Sequence, residues 1–136
     1  MKNLKSIFIA LVLLGLVSCN KEDRIYKSVT GSWRCEEFNP LYGISVYMVD
    51  IDRKKSDTTL YLLSNFHNQD TEESIEFVYA QLLDSTLTIS RQTFAGLAVK
   101  SGIGAVSSDF TLIDFDYEIF DGVNDISVHA VYSRPD

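Results

Sequence analysis

The sequence predicts an all-β fold, a small antiparallel barrel of eight strands, with a β-sandwich as the alternative. Three observations support this prediction. β-branched and aromatic residues alternate with polar ones over short runs, turn residues interrupt the runs about every 8–12 positions, and no longer window has the apolar spacing of an amphipathic helix. Eight strands close a barrel whose interior is filled by side chains or holds one small ligand.

The first four strands are predicted at 32–38, 44–52, 59–66 and 74–82. Asn39-Pro40 ends the first strand with a turn signal, and a charged turn over 53–57 separates the second from the third. The residues that alternate in step, and are therefore expected on the inner face of strands two to four, are Tyr47, Val49, Ile51, Tyr61, Leu63, Ile75, Phe77 and Tyr79.

The last four strands are predicted at 86–93, 97–106, 110–120 and 126–133. The sixth is weak because glycines interrupt it, and glycine within a strand marks a bulge or a bend. Asp121-Gly122 predicts a hairpin loop, and Pro135 ends the eighth strand. The inner faces of these strands are expected to carry Leu87, Ile89, Thr111, Ile113, Phe115, Tyr117, Ile119, Ile126, Val128, Ala130 and Tyr132.

Composition excludes several functional classes. The chain has 136 residues, about one domain, with 12 Lys and Arg against 19 Asp and Glu and a net charge of −7. An acidic chain lacks the basic surface that nucleic-acid phosphates require. Two Cys and two His cannot form an ordinary structural zinc site without carboxylates. The sequence predicts no cofactor and no metal site.

The first residues have the pattern of a secretory signal. Lys2 and Lys5 precede an apolar run, Ile7–Val17, that is too short for a membrane-spanning helix. The end of this run, together with the next two residues, reads Leu16-Val17-Ser18-Cys19 and resembles the bacterial lipobox. This resemblance implies cleavage before Cys19 and lipidation of its sulfur. We therefore expect a signal peptide at 1–18, a lipidated terminus and tether at 19–30, and a barrel domain at 31–136.

The residues after Cys19, Asn20-Lys21-Glu22-Asp23, resemble the surface-export signal of Bacteroidetes lipoproteins. The resemblance implies lipid anchorage in the outer membrane with the domain facing the cell surface, and the periplasmic face is the alternative. If lipid occupies Cys19, Cys35 has no disulfide partner, and we expect it to be a small buried apolar residue.

A wider resemblance concerns the fold. Thr30-Gly31-Ser32-Trp33 is similar to the Gly-x-Trp opening of lipocalin-like barrels. Together with Leu63-Ser64-Asn65-Phe66, Ile89-Ser90-Arg91-Gln92-Thr93 and Phe115-Asp116-Tyr117, it resembles a group of small Bacteroidetes lipoproteins with a lipocalin-like domain. The resemblance implies a fold and an envelope location, but no catalytic residue.

Residues that could carry chemistry are few. Asp114, Asp116 and Glu118 share one strand face, which we interpret as a solvated outer face, with a weak cation site as the alternative. His67 and His129 are interpreted as structural or surface residues. No catalytic residue is predicted. The aromatic residues expected inside the barrel suggest core packing or a cup for an apolar or ring-shaped ligand, formed by Trp33, Tyr47, Tyr61, Phe77, Tyr79, Phe115, Tyr117 and Tyr132.

The functional expectation is a lipid-anchored envelope lipoprotein that acts as a non-enzymatic binding or interaction module. Its partner would be a small ligand in the barrel or a protein at its surface, where Leu60 and Leu62 are candidates for an apolar patch. The alternative is a structural accessory lipoprotein with an occluded barrel, and an envelope hydrolase is the remote alternative.

Overall fold

The computed structural model describes residues 24–136, so the predicted lipidation site Cys19 lies outside the described residues. Within them the backbone forms nine strands and one short 3-10 turn, Phe66–Asn68. No helix in this range has the length and hydropathy to cross a membrane. The strands are β1 (Gly31–Asn39), β2 (Gly43–Arg53), β3 (Leu60–Ser64), β4 (Phe77–Leu83), β5 (Thr86–Ile89), β6 (Gln92–Phe94), β7 (Leu97–Val106), β8 (Leu112–Phe120) and β9 (Asp125–Ser133).

The strands form an eight-stranded antiparallel barrel, which confirms the predicted fold class. β1 to β5 are neighbours in chain order, and β1 also pairs with β9, which is followed by β8 and β7. The pairing of β5 with β7, from Thr86↔Ala105 to Ile89↔Gly102, closes the ring. β6 pairs with β7 through Gln92↔Val99 and is an addition to the ring. The predicted fifth strand is therefore two strands, β5 and β6.

Side chains fill the interior of this ring. Alternate residues of β1, β2, β8 and β9 point inward as the polar-apolar alternation predicts. The largest side chains that are fully buried include Trp33, Tyr132, Phe66 and Phe115. In an eight-stranded ring, side chains of this size leave little space inside unless one of them moves.

The predicted inner face of the fourth strand is wrong. Phe77 and Tyr79 are 41% and 42% exposed on the outer face, whereas Val78 and Ala80 are buried. The strand starts at Phe77, and the register pairs Val78 with Leu63, whose side chain is also buried. Both faces of this segment are apolar, so alternation alone does not distinguish them. The smaller side chains occupy the restricted interior.

One end of the barrel is closed by Trp33, and we call it the Trp33 end. The Trp33 indole N–H donates to the Val29 carbonyl at 2.9 Å, and the Arg134 guanidinium lies 3.8 Å from the ring centroid. Arg134 also donates to the carbonyls of Ser28 and Thr30. Val29, part of the predicted tether, is fully buried. The N-terminal and C-terminal segments of the domain are thus joined at this end.

Gly104 gives the most direct test of interior crowding. A Cβ atom at this position would lie 2.8 Å from the Phe115 ring, which is fully buried. We expect Gly104→Ala to lower the free energy of unfolding by about 1–3 kcal/mol, because the ring has no free volume to enter. Urea unfolding measures the change, and Ser101→Ala, at an exposed position of the same strand, is the control. Equal unfolding midpoints for the two variants would contradict this account.

Candidate functional site

The opposite end of the barrel contains a buried carboxylate, and we call it the Glu37 end. Glu37 is only 3% exposed, on the inward face of β1. Its Oε2 accepts hydrogen bonds from the hydroxyls of Tyr47 and Tyr117. Its Oε1 lies 2.9 Å from Nδ1 of His67. Residues from β2, β8 and the β3–β4 loop therefore converge on one carboxylate.

The carboxylate is stabilised in its charged form. Burial alone raises the pKa of Glu37, but hydrogen bonds from His67, Tyr117 and Tyr47 outweigh burial and lower the pKa below its ordinary value of 4.5. Burial also raises the pKa values of Tyr47 and Tyr117, which keeps both hydroxyls protonated as donors. Glu37 is therefore an anion inside the barrel.

Two further polar groups lie in the same interior. Tyr132 is fully buried, and its hydroxyl has no hydrogen-bond partner within residues 24–136. Its neighbour, the Cys35 thiol, is a weak partner, because sulfur donates and accepts poorly. Burial raises the pKa of Cys35 to about 12, so the thiol stays protonated and unreactive. The prediction that Cys35 is a small buried residue is confirmed.

The β3–β4 loop, residues 65–76, inserts two neighbouring rings at the Glu37 end. The Phe66 ring packs 4.7 Å from Tyr117, 5.5 Å from Phe94 and 6.4 Å from Phe115, measured between centroids. The next residue, His67, supplies the imidazole that contacts Glu37. The loop thus brings an apolar ring and a nitrogen heterocycle into the aromatic end of the barrel together.

The loop holds these rings in a costly backbone conformation. His67 has φ of 55°, and Asn65 and Asn68 also lie in the left-handed region. For a residue with a Cβ this conformation costs roughly 1–2 kcal/mol, although Asn tolerates it better. The Asn65 side chain fixes the loop by donating to the Met48 carbonyl at 2.8 Å and accepting from the Asp70 N–H. Such strain is typical of segments with a functional role.

The structure separates the eight predicted cup residues into three groups. Tyr47 and Tyr117 meet at Glu37. The Phe115 ring lies 6.4 Å from that of Tyr117 and 5.5 Å from that of Tyr132, measured between centroids. Trp33 and Tyr61 are buried nearer the opposite end, and Trp33 belongs to its closure. Phe77 and Tyr79 lie outside the barrel, as described above. Four of the eight therefore line the Glu37 end.

Glu37, Phe66 and the buried role of His67 were not predicted from the sequence. One signal was present for Glu37: the inward alternation that starts at Trp33 and Cys35 reaches Glu37 two residues later. The contact with His67 had no local signal, because it depends on how the β3–β4 loop returns to the barrel. His67 is structural, as interpreted, but it lies at the centre of the polar cluster rather than on the surface.

The acidic residues of β8 lie on the outer face, as interpreted from the sequence. Asp114 and Asp116 are exposed and flank His129, whose Nδ1 lies 2.8 Å from Asp116 and whose Nε2 lies 3.5 Å from Asp114. They line an open groove of about 660 Å³ over β7 to β9. One atom from each residue could face a cation, but an ion can take only one nitrogen of the ring, and all three side chains are solvated. The hydrogen bond between His129 and Asp116 accounts for this arrangement without an ion.

Comparison with known proteins supports the fold. No protein-family model matches the sequence, and no curated protein matches it significantly. A solved structure of a redesigned β-barrel, b11L5F_LGL, is similar with a TM-score of 0.56 and 13% sequence identity. The similarity covers 79% of this chain and 92% of that chain. At this sequence identity, the similarity shows the barrel fold alone.

The stability provided by Glu37 is expected to depend on pH. Glu37→Gln preserves the shape and removes the charge, so we expect it to cost about 1–3 kcal/mol near neutral pH. Because the pKa of Glu37 is lowered in the folded state, its contribution is complete above its ordinary value of 4.5 and is lost as pH falls through the folded pKa. Urea unfolding at about pH 7 and about pH 3 measures this change, with the solvated Glu36→Gln as the control. A stability gap that does not narrow at the lower pH would refute a charged Glu37.

Proposed function

We propose that this protein is a lipid-anchored, non-enzymatic binding module of the bacterial cell envelope, and that its barrel takes a small ring-shaped ligand at the Glu37 end. One observation carries the proposal. Phe66 and His67, adjacent on a strained loop, place an apolar ring against Tyr117 and a nitrogen 2.9 Å from the buried Glu37 carboxylate. The loop fills the position of a ligand that carries an apolar ring and a donor nitrogen.

The free energy required to bury the Glu37 carboxylate supports a binding role. A buried carboxylate must be compensated by several donors, and apolar residues of similar volume often stabilise a core equally well. If the loop swings out, Glu37 loses the imidazole while Tyr47 and Tyr117 remain as donors. A cationic or N–H donor group would then replace His67. The Tyr132 hydroxyl, which within residues 24–136 has only the weakly interacting Cys35 thiol beside it, would supply a further polar contact.

The proposed anchor would orient this site. Residues 24–30 join the barrel at the Trp33 end, opposite the Glu37 end. With lipid on Cys19, the Glu37 end would face away from the outer membrane. The lipobox and the acidic residues that follow it support the surface location, and the periplasmic face stays the alternative. The Gly-x-Trp opening, with Trp33 buried at one end of the barrel, supports a lipocalin-like domain, and the residues after Cys19 support a lipoprotein of the Bacteroidetes type.

The alternative is an accessory lipoprotein with an occluded barrel. The filling of the interior by large side chains such as Phe66 and Phe115 favours it. A hydrolase has less support. Glu37 and His67 do converge, but the neighbouring Cys35, with its pKa raised to about 12 by burial, lacks the thiolate of a Cys–His enzyme.

Matched aromatic probes test the ligand class. Tryptamine and indole-3-acetate share the indole ring and differ in the sign of their charge. We expect tryptamine to bind at least tenfold more tightly in calorimetric titrations, because a second carboxylate beside Glu37 would be repelled. Phe66→Ala should strengthen tryptamine binding, since it removes the competing ring. Glu37→Gln should abolish the preference, and Glu36→Gln should retain it.

Two outcomes would contradict this proposal. If neither probe binds to the wild type or to Phe66→Ala, the occluded barrel is favoured. If the wild type binds the two probes with equal affinity, Glu37 does not contribute to ligand recognition.

The anchor has its own test. Cys19→Ala should abolish palmitate labelling and release the protein from the membrane fraction or stall its processing, because two or more acyl chains provide the stable attachment. Persistent labelling of the variant would refute the lipobox assignment. Protease treatment of intact cells should remove the domain if it faces the surface. Survival in intact cells with loss after lysis would place it in the periplasm.

A further inference from the structure

The wall of the barrel is open along part of β2. β1 pairs with β2 along its length, from Asn39↔Gly43 to Gly31↔Ile51. On its other side β2 pairs with β3 only from Asp50↔Ser64 to Arg53↔Tyr61. Residues 43–49 therefore have a neighbouring strand on one side only. Such a free edge can pair with an added strand.

One contact shows which way the main-chain N–H and C=O groups of β2 point. Asn65, which follows β3, donates from its side chain to the Met48 carbonyl, so the main-chain groups of Met48 face the β3 side. Alternate residues of a strand direct their N–H and C=O groups to the same side. Ile44 and Val46 therefore face the open side as well, beyond the end of β3. Neither has a ladder partner there within residues 24–136.

The side chains of these residues are also unprotected. Ile44, Val46 and Met48, which we call the β2 edge, are 66%, 52% and 43% exposed on the outer face of the barrel. The segment 43–49 contains no charge and no proline that would block pairing. The β2 edge thus combines the free ladder groups of Ile44 and Val46 with a row of exposed apolar side chains, while the Met48 carbonyl is occupied by Asn65. Strand addition uses both features, the ladder for affinity and the alternate side chains for specificity.

The charge beside the β2 edge indicates the kind of strand it would accept. The β3–β4 loop, whose Asn65 contacts Met48 of the β2 edge, contains Asp70, Glu72, Glu73 and Glu76, with no Lys or Arg. On the neighbouring β1, Arg34 pairs with Glu36 and leaves no excess positive charge. A second copy of the chain would bring the same acidic loop to an edge-to-edge contact. Like charges at such a contact are unfavourable, and a basic partner is attracted.

We propose that the β2 edge binds an extended segment of another protein by strand addition, and that this segment alternates apolar residues and carries Lys or Arg at its ends. The partner would pair with the main-chain groups of Ile44 and Val46, lay its apolar side chains beside theirs, and place its basic ends near the acidic loop. This surface lies on the outside of the barrel, and the β3–β4 loop connects it to the Glu37 end, because Asn65 of that loop donates to the Met48 carbonyl.

A peptide titration tests the proposal with the full-length protein in detergent. The probe is Lys-Val-Thr-Val-Thr-Val-Lys, compared with the same peptide carrying Glu at both ends and with a version N-methylated at alternate amides. We expect the Lys peptide to bind and to shift the amide NMR signals of Ile44 and Val46. The Glu peptide and the N-methylated peptide should bind at least tenfold more weakly, because they lose charge attraction and ladder bonds respectively.

Val46→Pro removes the edge donor without removing a bond to β1, because this N–H faces the open side. We expect it to retain the wild-type urea unfolding midpoint closely and to lose peptide binding at least tenfold. Val46→Thr, which keeps the N–H, is the matched control and should bind like the wild type. If Val46→Pro is unfolded, the peptide comparison and the NMR shifts still decide the outcome.

Several results would overturn the proposal. Equal binding to the wild type and a folded Val46→Pro would place the peptide elsewhere, and equal affinity for the Lys and Glu peptides would exclude a basic partner. Absence of binding by the Lys peptide at millimolar concentration would exclude strand addition. A dimer in sedimentation that Val46→Pro dissociates would make a second copy the occupant.

Discussion

The space inside an eight-stranded ring is the constraint on which the rest of this structure depends. Once β5 and β7 pair, the interior volume is fixed, and each inward side chain competes for it. Gly104 leaves room for Phe115 across the ladder, and Val78 and Ala80 are inside while larger neighbours are outside. Packing in such a ring depends as much on small residues as on large aromatic ones.

The same limited interior explains why Glu37 is surrounded by hydrogen-bond donors. In a small interior of low polarity, Glu37 can remain charged only because donors from three separate elements reach it. One of those donors, His67, comes from a loop in an unfavourable backbone conformation rather than from the wall. The barrel wall and the loop therefore differ in character: hydrogen-bonded ladders hold the wall, whereas the packing of Phe66 and a few polar contacts hold the loop.

Strands with one polar face and one apolar face were predictable from the sequence. In β8, the polar Asp114 and Asp116 mark the outer face, so Phe115 was expected to point inward. Strands with this pattern led to the prediction of an eight-stranded barrel. The inner face of β4 was predicted wrongly, because Phe77 and Val78 are both apolar and burial there depends on volume. The pairing of Glu37 with His67 could not be predicted, because it requires the path of a loop across the barrel. Of the candidate site, the aromatic residues were predictable and the charge at their centre was not.

The position of β1 has a mechanical consequence. This strand leads directly from the N-terminal segment, and it is bonded to β2 from Gly31 to Asn39 and to β9 from Arg34 to Phe38. A protein held by its N-terminus and dragged by its surroundings would feel force along the axis of β1. Force in that direction loads the ladder bonds on both sides together, in shear, instead of opening them one at a time. Arg134, bonded to Ser28 and Thr30, adds resistance before the strand itself is loaded.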